Sequence, residues 1–219
     1  MTTRRFIFSA LLTAFYFLSF AQDPSRFKEE VIRLQAKNKQ AAIKKPVVFA
    51  GSSSFRMWKD VATDLENDKI INNGFGGSHF SDLIFYYKEL IAATNPSAIF
   101  LYEGDNDLAA GKPIDQVMAD AKTLLSLIRR DFPDVPVYYV CPKPSIARWH
   151  LAETYKAFNT TLEAWTETEA NVVYVDVWTP MMNKHGLLDE SLFIEDDLHM
   201  NEQGYAIWTN VLTPYIEAL

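Results

Sequence analysis

Beyond its first two dozen residues, the chain alternates short apolar runs with longer stretches whose apolar residues recur at helical spacing. The runs at 46–51, 70–75, 98–104, 135–142 and 172–178 are rich in Val, Ile, Tyr and Phe. Several are almost continuously apolar, the pattern of strands buried on both faces of a parallel sheet. Between them, Val117, Ala121, Leu124 and Ile128 mark one helix face, with Asp115 as its expected N-cap. A final helix is expected after Asn201, with Trp208, Val211, Leu212 and Tyr215 turned inward and Pro214 ending or kinking it. Strands alternating with helices predict one α/β domain built on a mostly parallel sheet.

The first residues read differently. Arg4 and Arg5 precede an uncharged run over 6–20, and Ser19 and Ala21 supply small residues at the −3 and −1 positions of a cleavage site. That is the pattern of a secretory signal peptide over residues 1–21. The run is shorter than the ~20 apolar residues of a spanning helix, so no stable membrane insertion is expected after cleavage. Residues 22–219 are then the working domain, exported to the periplasm or secreted. The formal charge of −7 excludes the basic face that nucleic-acid binding requires. Cys141 is the single cysteine, so no internal disulfide forms, and its apolar neighbours suggest a buried small hydrophobe.

In such folds ligands bind at the carboxyl ends of the strands, and unusual residues gather there. Gly51-Ser52-Ser53-Ser54 follows the first run, Gly74 to Ser78 the second, and Gly104-Asp105-Asn106-Asp107 the third. A fourth segment, Asp196-Asp197-Leu198-His199, precedes the last helix. Ester hydrolysis needs a nucleophile, a base, a group to orient the base, and donors for the developing oxyanion. A serine on a tight turn suits the first role and His199 the second, with Asp196 close enough to fix its tautomer. Gly77 offers an unobstructed backbone N–H and Asn106 a side-chain amide as oxyanion donors. Taken singly, each segment also has a plain reading as a turn, a cap or a surface pair; their occurrence together at successive strand ends argues for chemistry.

These four segments resemble the four blocks of the SGNH hydrolase superfamily, also called GDSL-like lipases or esterases. Gly104-Asp105-Asn106-Asp107 and Asp196-Asp197-Leu198-His199 match the Gly-x-Asn-Asp and Asp-x-x-His blocks. The stretches 51–58, 101–111 and 197–208 look like a bacterial exported subgroup related to platelet-activating-factor acetylhydrolase-like esterases. The resemblance implies a three-layer α/β/α sandwich with a flavodoxin-like sheet of about five strands. It implies Ser53 as nucleophile, completed by Asp196 and His199, and an oxyanion hole of the Ser53 N–H, Gly77 and Asn106. No cofactor or metal is implied. One departure is visible: the family's Gly-Asp-Ser turn reads Gly51-Ser52-Ser53 here. Register from Gly51 selects Ser53, with Ser54 as its rival.

Other readings fit less well. An α/β-hydrolase elbow requires a second glycine where Phe55 stands. A metallophosphoesterase would draw on several histidines, but His79, His150 and His185 share no ligand spacing. The glycines at 74, 76 and 77 miss a dinucleotide fingerprint because position 79 is His. A non-catalytic glycan-binding relative has only the missing aspartate in its favour. The expected partner is a small-molecule or glycan ester, with a short or acetyl acyl group; a lysophospholipase or thioesterase is the alternative. His79, Lys143 and Arg148 are candidate substrate-binding residues, and Arg56 and Trp58 also lie near the nucleophile turn.

Overall fold

The computed structural model describes residues 23–219, so the expected signal segment lies outside the described residues. Five strands form the sheet: β1 (Val47–Gly51), β2 (Ile70–Gly74), β3 (Ala98–Tyr102), β4 (Val137–Val140) and β5 (Val172–Val175). All neighbours pair in parallel in the order β2-β1-β3-β4-β5. This is the flavodoxin-like order, whose switch point between β1 and β3 opens a crevice at the carboxyl ends of the strands. Each strand is shorter than its apolar run; in β2 to β5 the last residues of the run leave the ladder to build the loops above it, whereas β1 keeps Gly51 and drops only Pro46.

The helices are α1 (Lys28–Ala41), α2 (Ser53–Met57), α3 (Val61–Asp64), α4 (Phe80–Phe85), α5 (Tyr87–Leu90), α6 (Asp105–Ala109), α7 (Ile114–Asp131), α8 (Ala152–Thr166) and α9 (Glu202–Glu217). One layer forms through contacts of α1 with α5, α4 with α7, and α7 with α8; α3 meets α9 in the other. On the α9 side, Phe49, Phe100 and Tyr138 stand in register on adjacent strands and stack, with centroids 4.7 and 4.3 Å apart. Trp58 and Trp208 join Phe49 and Phe55 there. Each such aromatic pair adds roughly 0.5–1.5 kcal/mol beyond its buried area.

One helix expectation needs correction, and of the two outcomes expected at Pro214 one falls away. Pro113, not Asp115, occupies the N-cap position of α7; Asp115 sits within the first turn, where its charge suits the helix dipole. Pro214 does not end α9, which continues to Glu217. The buried face of Trp208, Leu212 and Ile216 carries the helix past it, and the carbonyl that proline leaves unbonded belongs to exposed Asn210, within reach of water. Asn201 does cap α9, its side chain accepting from the N–H groups of Gln203 and Gly204.

Candidate active site

The turn after β1 is dictated by close packing. Gly51 has φ +140°, and a Cβ there would lie 2.2 Å from the Tyr102 carbonyl oxygen on β3. Only glycine lets β1 and β3 approach so closely and turn at once into α2. Ser53 is the first residue of that helix, so its N–H has no intrahelical acceptor. The far end of α2 is held from β2: the Asn72 side chain donates to the carbonyls of Phe55 (2.6 Å) and Trp58 (3.0 Å). From α9, the Tyr205 hydroxyl donates to the Ser54 carbonyl at 2.9 Å.

The segment 196–199 faces this turn. His199 Nε2 lies 2.9 Å from Ser53 Oγ, and His199 Nδ1 lies 2.6 Å from Asp196 Oδ2. Asp196 Oδ1 also accepts from the N–H groups of Leu198 (3.0 Å) and His199 (2.8 Å). Burial pushes the Asp196 carboxyl up, but these hydrogen bonds outweigh it and hold the group down at about 2. An ionised Asp196 places the imidazole proton on Nδ1, which leaves Nε2 to accept from the Ser53 hydroxyl. Ser54 is buried, with its carbonyl tied to Tyr205. Of the three serines, Ser53 is the one whose hydroxyl lies against the histidine.

The three strand-end loops meet at Asn106. Its Nδ2 donates to Ser52 Oγ (2.6 Å) and to the Ser78 carbonyl (2.9 Å), while Arg148 donates to its Oδ1 (2.9 Å). Ser52, at the position of the family's aspartate, thus accepts the amide that links β1 to β3. Gly77, one residue before Ser78, is exposed, has φ +71°, and has open space where a Cβ would stand. Its carbonyl accepts from Arg26 at 3.4 Å.

The other candidates are tied into the framework. His79 is buried, with Nδ1 3.5 Å from Asp107, which also binds Lys112. Lys143 is buried beneath the histidine loop, and its Nζ donates to the Leu198 carbonyl at 2.5 Å. Burial lowers its pKa to about 8, against the opposing pull of Asp105. Arg148 pairs with buried Asp105, whose carboxylate also accepts from Tyr155 at 2.6 Å. Trp58 is buried with its indole N–H on Asp64, and Arg56 faces Glu30 at 3.6 Å. Burial pushes the Cys141 thiol up to about 12, as befits an inert core residue. Among the described residues, no three His, Cys, Asp or Glu side chains cluster to hold a metal, and no helix is long and apolar enough to cross a membrane.

Sequence reasoning missed Glu103, the last buried residue before Gly104. Its Oε1 lies 2.6 Å from Ser78 Oγ, and its Oε2 has no hydrogen-bond partner among the described residues. Burial, reinforced by neighbouring Asp107, pushes its carboxyl well above the usual carboxylate range. A charged residue at the end of an otherwise apolar run was the available signal.

The model of the GDSL-like lipase/acylhydrolase family matches residues 35–207. The chain belongs to this family. Its members are carboxylic ester hydrolases, and this chain is an enzyme of that class. No curated protein sequence matches it. A structure from Streptococcus pneumonia, assigned as a platelet activating factor, superposes with a TM-score of 0.75 at 18% identity over 88% of this chain and 95% of that one. A GDSL-like lipase from Bacteroides thetaiotaomicron gives 0.70 at 20% identity, over 90% and 98%. An acetylxylan esterase from Geobacillus stearothermophilus gives 0.67 at 15% identity, over 78% and 94%. At these identities the likeness concerns the fold.

Proposed function

We propose that this member of the GDSL-like family is an exported serine esterase that removes short acyl groups, acetyl foremost, through an acyl-enzyme. The observation that carries the reading is the continuous chain Ser53 Oγ–His199–Asp196, with contacts of 2.9 and 2.6 Å. His199 takes the hydroxyl proton as Ser53 attacks the ester carbonyl, then returns it to the departing alcohol. Water activated by the same imidazole releases the acid. Asp196 holds the imidazole in register and stabilises it when protonated.

The developing oxyanion draws on the N–H groups of Ser53 and Gly77 and on Asn106 Nδ2. Both protons of that amide have acceptors in the free enzyme, so the substrate oxygen replaces Ser52 Oγ as the partner of one of them. Catalytic hydrogen bonds that form fully only with substrate are common. A short acyl group is supported by the loop beside His199, where Glu195, Asp196 and Asp197 are exposed and only Ile194 adds an exposed apolar side chain, too little surface to bed a long chain. Export rests on the signal-like segment at residues 1–21.

The test is hydrolysis of p-nitrophenyl esters from acetate to octanoate. Acetate is expected to be cleaved fastest. Ser53→Ala should lose at least about 10³-fold in kcat, and Asn106→Ala about 10²–10³-fold. Full activity in either variant removes that residue from its role, and a preference for octanoate removes the short-acyl reading.

A further inference from the structure

The loops that leave β4 and β5 build a second concave surface, a groove of about 690 Å³ between segments 146–149 and 183–191. Both walls run into the triad region. Ala147 N–H donates to the Asp197 carbonyl at 3.0 Å, and Arg148 grips Asn106. The other wall continues to Phe193, which pairs with Met200 immediately after His199.

Trp149 lines the groove with 38% of its surface exposed, a large fraction for the bulkiest apolar side chain. Trp178 lies behind it, rings 18° from parallel with centroids 6.3 Å apart, so the indole plane is fixed. The facing wall is also rigid. Asn183 N–H donates to the Leu187 carbonyl at 2.7 Å, and Met182 pairs with Leu188. Asn183 Oδ1 accepts from the N–H groups of His185 and Leu187, which turns its amide hydrogens away from that turn. Asp189 Oδ1 accepts twice from Ser191, which leaves Oδ2 without a partner among the described residues. Glu190 is exposed beside it.

A fixed aromatic plate opposed by amide donors and carboxylate acceptors selects a ligand with one apolar face and an edge of hydroxyl groups. Ile146, Leu187 and Leu188 also line the groove and give it apolar contacts, but a ligand that is hydrocarbon all round would strip water from Asn183, Asp189 and Glu190 without pairing them. An anionic headgroup would meet two carboxylates in a groove that no cation lines. We propose that the groove is a subsite for neutral sugar units of the substrate's alcohol portion, with Trp149 stacking on a pyranose ring; this rests on the esterase reading of the adjoining triad.

Two measurements on the full chain test it. In calorimetry with xylotetraose, mannotetraose and tetra-N-acetylchitotetraose, all neutral and free of O-acetyl groups, the wild type should bind at least one, Trp149→Ala should weaken that binding by about tenfold or more, and Trp149→Phe should recover part of it. No binding of any of the three, or binding indifferent to Trp149→Ala, overturns the subsite. In kinetics, the ratio of kcat/KM on the acetylated form of the bound oligosaccharide to that on p-nitrophenyl acetate should fall by about tenfold in Trp149→Ala. An equal fall on both substrates overturns it too. The binding arm needs no turnover, so inert wild type that still binds a tetrasaccharide through Trp149 would sink the esterase reading and keep the groove.

Discussion

Lys143 holds an ammonium group at 1% exposure, with one hydrogen bond to the Leu198 carbonyl and the Phe193 ring 5.3 Å from its Nζ. Asp105, Arg148 and Asp196 are the charged groups that act on it. Its pKa of about 8 against 10.5 means that folding works against the charged form. The folded state binds fewer protons than the unfolded state between those values, so stability rises with pH through that window. Lys143→Met cannot titrate there. Chemical denaturation should therefore find wild type gaining about 2 kcal/mol relative to the variant between pH 7 and pH 10. A pH-independent difference would mean that Lys143 is already neutral or solvated. The variant should also lose kcat at pH 7, because the carbonyl beside His199 loses its anchor. Sequence marked Lys143 as a candidate substrate-binding residue near a strand end; that it is buried depends on the 196–199 loop closing over it, a contact between residues far apart in the chain.

At the scale of elements, the loop after β2 depends on Glu103 from β3. Ser78 Oγ is 2.6 Å from Glu103 Oε1 and 3.3 Å from the Phe75 carbonyl, and one hydroxyl proton cannot serve both. A neutral Glu103 that donates to Ser78 lets Ser78 donate to Phe75 and braces the loop that carries Gly77. Glu103→Gln supplies the same donor and should keep kcat within about threefold, whereas Glu103→Ala should cost about 2–3 kcal/mol of stability and reduce kcat. A carboxyl whose pKa is raised by folding contributes stability below its unfolded pKa and loses it as pH rises towards the folded value. The stability of Glu103→Gln relative to wild type should thus increase as pH climbs from about 4. A flat difference across that range would show an ionised Glu103. Elements were legible where one physical rule acted alone: Asn201 caps α9 as its side chain dictates. They were less legible where packing carried a helix past its proline, as at Pro214, and were misread where a neighbouring proline took the cap from Asp115.

The whole molecule explains why four short segments, spread from Gly51 to His199, were enough to expose the site. A parallel sheet in the order β2-β1-β3-β4-β5 sends every strand-to-helix loop to one edge, so residues singled out by type at successive strand ends must become neighbours. What the order of strands cannot carry is which polar residues turn inward: His79 and Lys143 are buried, and Arg148 is half-buried against Asp105 and Asn106. The same architecture separates scaffold from loop, and two glycines measure the separation. Gly51 lies at the junction of the central strands, where a Cβ would overlap the Tyr102 carbonyl at 2.2 Å. Gly77 lies on an exposed loop with nothing within 4 Å of that position among the described residues, and its φ of +71° is the obstacle there. Gly77→Ala should cost about 1–2 kcal/mol, the penalty of a left-handed conformation, with a larger proportional loss of kcat as the donor N–H shifts. Gly51→Ala should cost more than about 3 kcal/mol, because relieving the overlap means moving β1 against β3 and disturbing the aromatic stack they share. Thermal melts and p-nitrophenyl acetate kinetics on both variants decide the matter. If Gly77→Ala lowers the melting temperature as far as Gly51→Ala does, the loop is part of the cooperative core; if Gly51→Ala melts like wild type, the sheet is slack enough at its switch point to absorb a methyl group.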